Sequence, residues 1–241
     1  MVHKNRHASV TESSGAIYDD CFYYAIEAWD GGIRSVTSSG GVNDGTAYQT
    51  AVTTNGHFGV TGVNANLTAH RAGLGNNSLN VMTLGGSTVR FGSIVKIPAQ
   101  DLGNLVYGPP SGSYDFDLLV GITDSMSSLT PANFVGFYYN GSVPSWHYYT
   151  RASSTGSVSS SIATGDTNWH TFELEVNPAG TSVQFWLDGT SVGTTTSNIP
   201  SSSTKMGFTP INMIAIAGAG TYNNVAYIDA YWWDYGFTTT R

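Results

Sequence analysis

Residues 169–189 read WHTFELEVNPAGTSVQFWLDG, and two runs of alternating character lie inside them. In the first, Trp169–Val176, the residues Phe172, Leu174 and Val176 share one face. In the second, Ser182–Asp188, the residues Val183, Phe185 and Leu187 do the same. Asn177-Pro178-Ala179-Gly180 separates them. A period of two on either side of a Pro/Gly turn predicts an antiparallel hairpin with one buried side. Asp188-Gly189 supplies the next tight turn, since glycine takes a positive φ without steric cost. An apolar sheet face must be covered, so this hairpin implies a second sheet opposite it.

The rest of the chain follows the same period. Asp19–Trp29, Ala47–Val52, Ser78–Thr83, Thr88–Ile97, Asp115–Ile122, Ser154–Thr164, Met213–Ala217 and Val225–Trp233 read as strands, with Pro98 stopping the fourth of these. Asn133–Tyr139 and Ser145–Thr150 form a hairpin over the turn dipeptide Asn140-Gly141, and Ser127–Ala132 is a turn or short helical pause. No helical periodicity, repeat or linker interrupts them. The expected fold class is all-β, two antiparallel sheets in one sandwich over residues 18–241, preceded by a polar arm over residues 1–17.

At these residues the chain resembles the concanavalin A-like and laminin-G-like lectin jelly rolls, through its Trp-led strand and the closing FWLDG. More narrowly it is similar to the lectin-like domains of bacteriophage tail-fibre and head-surface decoration proteins. That likeness is carried by His57-Phe58-Gly59-Val60, by Thr195-Thr196-Ser197-Asn198-Ile199-Pro200 and by Tyr227-Ile228-Asp229-Ala230-Tyr231-Trp232. The resemblance implies a concanavalin-like jelly roll at the virion surface, made in the host cytoplasm. Its expected partners are other capsid or tail proteins, further copies of itself (a trimer favoured) and a cell-surface glycan.

Composition narrows the function classes. Of 241 residues only 10% are charged, well below the roughly 25% of an average globular domain, so Ser, Thr, Asn and Gly must supply most of the polar surface. Nine Lys and Arg against sixteen Asp and Glu give a net charge of −7, which offers no electrostatic grip on phosphates, and nucleic acid is not an expected partner. Cys21 is the only cysteine, which excludes an intrachain disulfide and gives no CxxC metal pattern. The first residues lack the apolar core of a secretory signal, and no apolar run reaches the ~20 residues of a membrane helix, so no membrane association is expected.

No catalytic residues are expected. Glu173 and Glu175 stand two apart on one strand face, about 7 Å between Cα atoms, within the range of a glycosidase carboxylate pair. The resembling glucanases carry a third acid on that strand, and it is missing here. Asp115, Asp117 and Asp124 are the carboxylates that could surround Ca²⁺, but their spacing matches no EF-hand, and no cofactor is expected. His57, His70, His147 and His170 form no ligand motif.

The better candidates are aromatic. In Ser145-Trp146-His147-Tyr148-Tyr149-Thr150-Arg151, alternation puts Trp146, Tyr148 and Thr150 on one face and His147, Tyr149 and Arg151 on the other. Sugars stack on rings while polar groups take their hydroxyls, so Trp146, Tyr148 and Arg151 are the expected ligand-binding residues. Trp186 alternates with Phe185 and Leu187 and should face outward; of Trp232 and Trp233, one must face the core and the other outward. Trp186 and Trp233 are the expected interface residues, together with Lys4 and Arg6 of the basic arm. Three function classes stay open: a virion structural protein acting by assembly, a glycan-binding receptor or adhesion module, and a polysaccharide-degrading jelly-roll enzyme.

Overall fold

The computed structural model describes residues 17–20, 50–52, 57–59, 62–64, 71–74, 82–97, 100–101, 106–107, 116–125, 130–215 and 223–235. All their regular structure is strand. In chain order the first strands are β1 (Ile17–Asp20), β2 (Thr50–Val52), β3 (His57–Gly59), β4 (Gly62–Asn64) and β5 (Arg71–Leu74). Next come β6 (Met82–Thr83), β7 (Val89–Lys96), β8 (Gln100–Asp101), β9 (Val106–Tyr107) and β10 (Phe116–Thr123). The middle of the chain forms β11 (Phe134–Asn140), β12 (Ser145–Ala152), β13 (Thr155–Val158), β14 (Ala163–Thr164) and β15 (Trp169–Val176). The last are β16 (Val183–Leu187), β17 (Thr190–Thr195), β18 (Lys205–Ala215), β19 (Asn223–Val225) and β20 (Tyr227–Tyr235).

Two antiparallel sheets carry the architecture. A six-stranded sheet runs β1-β20-β7-β15-β16-β17, and an eight-stranded sheet runs β13-β12-β11-β10-β18-β5 with β14 beside β12 and β6 beside β18. The predicted hairpin is β15–β16, with Phe172 opposite Leu187, Leu174 opposite Phe185 and Val176 opposite Val183. All six are buried. Asn177 organises its turn: the side-chain oxygen accepts the N–H groups of Thr181 and Ser182 at 2.8 and 3.1 Å. At the next turn Asp188 (φ 52°) and Gly189 (φ 75°) both take positive φ, which brings Leu187 opposite Thr190.

The implied second sheet is present and meets the hairpin ring on ring. Phe137 packs edge-on against Phe172 and Phe185, with centroids 5.0 and 5.4 Å away, and Tyr148 stacks on Phe185 at 4.7 Å. Further along the sandwich Phe208 stacks on Phe91 at 5.9 Å and on Trp233 at 4.7 Å. One polar bridge crosses this layer. The buried Ser93 hydroxyl donates to the Pro210 carbonyl at 3.1 Å. Pro210 lies inside β18, where the register with β10 shifts between Leu119 and Gly121. A proline has no N–H for a ladder and is tolerated at such a bulge. That is why β18 is longer than the strand expected from residue 213.

Other boundaries also move. Asn140 pairs with Ser145, so the β11–β12 connection is the four-residue turn 141–144 rather than a two-residue Asn-Gly turn. Asn140 instead uses its side-chain oxygen to accept the N–H groups of Ser142 and Val143. The strand expected over Ser154–Thr164 is two short ones, β13 and β14, both on β12. Of the first expected strand, Asp19–Trp29, the described part is β1; Cys21 and the arm with Lys4 and Arg6 lie outside the described residues.

A histidine ties the hairpin's end together. His170 Nδ1 lies 2.7 Å from Asp188 Oδ2 and its Nε2 lies 2.9 Å from Asp166 Oδ1. Burial pulls the imidazole pKa down, but the hydrogen bonds and charges of Asp188 and Asp166 outweigh it and raise it above the usual histidine value. A folded-state pKa raised in this way contributes stability at low pH and loses it as pH rises through that value. Asp166 is shifted the other way. Burial raises its pKa, but the Asn168 N–H and His170 more than offset that, so its contribution is lost only in acid. The melting temperature should therefore fall as pH rises above the ordinary histidine pKa of about 6.5. In His170→Gln this part of the slope should vanish, and an unchanged pH profile in that variant would show that the triad is not formed.

Candidate functional site

Alternation along β12 separates two sets of side chains, and the second sheet decides which set is core. Trp146, only 2% exposed, is wedged between Tyr139 and Phe172 with ring centroids 5.0 and 4.3 Å away. Tyr148 lies on Phe185, and the Thr150 hydroxyl donates to the Ser197 carbonyl at 2.8 Å. The ligand-binding expectation for Trp146 and Tyr148 is thus corrected: these rings fill the inter-sheet layer. Arg151 stands on the opposite face, so the three expected residues do not converge.

What surrounds Arg151 is more informative. On the outer face of the eight-stranded sheet β10 supplies Asp117, β11 supplies Tyr138, and β12 supplies His147, Tyr149 and Arg151, with Tyr138 directly opposite His147. Tyr138 donates its hydroxyl to Asp117 Oδ2 at 2.9 Å, and the Gly141 N–H donates to Asp117 Oδ1 at 2.9 Å. Burial raises the Asp117 pKa, and these two bonds pull part of the way back. Burial, then the Asp117 charge, pushes the Tyr138 phenol well above its usual range, so it stays a hydrogen-bond donor. Arg151 Nη1 donates to the Tyr149 hydroxyl at 3.0 Å, while the buried Arg151 Nε has no hydrogen-bond partner among the described residues. Beneath them Leu119, Phe134 and Tyr149 form a small cluster separate from the main core.

Two glycines set the close spacing of this face. Gly121 and Gly136 are directly opposite each other, and Gly136 is opposite Tyr149. A Cβ on Gly136 would sit 2.2 Å from the Val120 carbonyl oxygen, so the backbones approach where no side chain fits. Next to the rings, His147 Nδ1 lies 2.9 Å from the Ser159 carbonyl oxygen and must carry the proton there. Its Nε2 lies 3.0 Å from Ser145 Oγ, whose one proton also meets the Val143 carbonyl at 2.6 Å.

The partly exposed Arg151 guanidinium, His147 imidazole and Tyr138 phenol, backed by the buried Asp117 and Tyr149, suit a ligand rich in hydroxyls. The described carboxylates of the expected cation set are engaged by other groups. Asp117 is held as above, and Asp124 accepts the Asn133 N–H and side-chain amide at 3.1 and 2.7 Å. Among the described residues there is no group of three or more His, Cys, Asp or Glu that could hold a metal ion; Asp115 lies outside them. The Asp117–Tyr138–Tyr149 set escaped the sequence reading because its members come from three strands, and only the pairing register brings them together. The signal available was the triplet His147, Tyr149 and Arg151 on one strand face.

The six-stranded sheet has its own outer face. Trp186 points outward there as expected, directly opposite Glu173. Trp233 does not; partly buried and stacked on Phe208, it packs against the core, and the outward placement expected of it is corrected. Its neighbour Trp232 is the outward ring, opposite Gly92. Of the expected acid pair, Glu175 is ion-paired to Arg90 at 2.7 Å, and Glu173 has no ion-pair partner among the described residues.

The whole architecture has solved counterparts. A protein of unknown function from Shewanella oneidensis MR-1 matches with a TM-score of 0.65 at 14% identity, over 97% of this chain and 92% of that one. The endo-1,3-β-glucanase of Streptomyces sioyaensis matches with a TM-score of 0.52 at 14% identity, over 95% and 91%. The fold is a concanavalin-like jelly roll. The globular domain of T. cruzi calreticulin is a third counterpart, with a TM-score of 0.51 at 12% identity over 89% and 86%. No protein-family model and no curated protein sequence matches the chain.

Proposed function

We propose that this jelly roll is a non-catalytic glycan-binding module of a virion-surface or tail-fibre protein, working as a homo-oligomer beside other virion components. The observation that carries the binding role is the outer face of the eight-stranded sheet, where the partly exposed Tyr138, His147 and Arg151 stand beside the buried Asp117 and Tyr149, which hold Tyr138 and Arg151 in place. The absence of catalysis is supported by the carboxylates. Asp117 is the one described acid amid that cluster, whereas glycosidases need two facing carboxyl groups about 5–10 Å apart. The virion setting rests on the phage-type segments Thr195–Pro200 and Tyr227–Trp232. The first of them is built into the sandwich: Asn198 donates its amide to Ser157 Oγ at 2.6 Å and Pro200 is buried.

The test is a glycan array followed by calorimetry on the best ligand. Arg151→Ala should weaken binding about 10- to 100-fold, the worth of a hydrogen bond from a charged donor. No reducing ends should be released from the same glycan on prolonged incubation. Wild-type affinity in Arg151→Ala, an array with no ligand, or steady release of reducing sugar would each overturn the reading.

A further inference from the structure

The outer face of the six-stranded sheet carries a second arrangement of the same chemistry. The pairing registers place Trp232, Gly92, Glu173, Trp186 and Ser191 in one row across β20, β7, β15, β16 and β17. A Cβ on Gly92 would lie 2.1 Å from Cε2 and Cζ2 of Trp232, so the indole occupies the space a side chain would fill and leans toward Glu173. Trp186 is half-buried, and neither its indole N–H nor the Glu173 carboxylate has a hydrogen-bond or ion-pair partner among the described residues. A donor on Trp186 and an acceptor on Glu173 thus stand at directly paired positions, with the Trp232 ring on the other side of Glu173 over Gly92.

The neighbouring row is different. Asp234, Arg90 and Glu175 line up there as an ion-paired set, with Arg90 2.7 Å from Glu175 and 3.9 Å from Asp234. Gln184 continues that row, hydrogen-bonded to Ser191 and Thr194. Isolated rings in a polar, charged surround do not make the contiguous apolar centre of a stable protein interface. Three strand steps separate the Trp232 and Trp186 backbones by about 14 Å. The spacing suits an extended ligand that presents apolar C–H faces to the rings and hydroxyls to Glu173 and Trp186.

We propose that this face is a second carbohydrate platform that takes a neutral, extended β-linked oligosaccharide laid across Trp186 and Trp232. It is independent of the Arg151 face, which lies on the other side of the sandwich. The uncharged chain meets no repulsion from Glu173, which accepts a hydrogen bond from a sugar hydroxyl while the Trp186 N–H donates to a sugar oxygen. The rings contribute stacking.

The test uses native gels containing mixed-linkage β-glucan or hydroxyethyl cellulose, and fluorescence titration with cellohexaose. Wild type should be retarded, and its tryptophan emission should change on titration. Trp186→Ala should bind at least about tenfold more weakly, the equivalent of about 1.4 kcal/mol. Glu173→Ala should lose several-fold, with thermal melts confirming that both variants fold. In Arg151→Ala the Trp186-dependent retardation should persist, which separates this face from the other. Retardation unchanged by Trp186→Ala, or absent in wild type on both polymers, overturns the proposal. So does a self-associated species in sedimentation that Trp186→Ala dissolves, since a second copy would then occupy the face.

Discussion

Phe185→Ala should lower the melting temperature by about 6–20 °C. Phe185 is fully buried at the centre of the β16 face, stacked under Tyr148 at 4.7 Å and met edge-on by Phe137 at 5.4 Å. Removing a buried phenyl loses its transfer free energy and leaves a void that the two rigid sheets cannot close, a cost of about 3–5 kcal/mol. For a chain of this size each kcal/mol corresponds to roughly 2–4 °C. The control is the next residue. Trp186→Ala removes a larger ring from the same strand, but from its solvent side, where substitutions usually stay within about 0.5 kcal/mol. If calorimetry showed the two variants melting together, the register of β15 against β16 would be wrong.

Gly136→Ala should be at least as damaging, for a different reason. The added carbon would meet the Val120 carbonyl oxygen at 2.2 Å and the Gly121 Cα at 2.8 Å. Those are backbone atoms of a paired strand and cannot rotate away. The methyl fits only if β10 and β11 part in the middle of the eight-stranded sheet, breaking ladder bonds between Val120, Gly121 and their partners. Overpacking of this kind costs about 1–3 kcal/mol where side chains yield, and here they do not, so about 3 kcal/mol is the lower end. Insoluble protein or a melting point at least about 6 °C lower is the expected result. A soluble variant melting within about 2 °C of wild type would show that the strands can separate at this point.

The effect on function should follow the same division. Tyr149 stands opposite Gly136, and Tyr138 opposite Leu119, so spreading these strands would also separate Tyr138, Tyr149 and Arg151. The proposed glycan face and this close backbone approach are therefore one structure. Trp146 makes the complementary point: it supports that face from below, through the core, and its loss would act on binding only by loosening the sheet.

Local pattern determined much of this molecule. The alternation in WHTFELEVNPAGTSVQFWLDG specifies two strands, their turn, their buried faces and the need for a facing sheet, because the period of a strand is a property of the backbone itself. The outward placement of Trp186 follows from the same count. Alternation says only that neighbours point apart; it does not say which way. For β12 the period separates Trp146 and Tyr148 from His147, Tyr149 and Arg151, and only the opposing sheet, with Phe172 and Phe185 in place, makes the first set core. The same holds for Trp232 and Trp233, where contact with Phe208 turned Trp233 inward. Both proposed faces are products of register, since Asp117 meets Tyr138 across β10 and β11, and Trp232 lies over Gly92 of β7, a strand far away in the chain. Pairing across strands is set by the burial of whole faces, a tertiary quantity, and no residue's local preference encodes it.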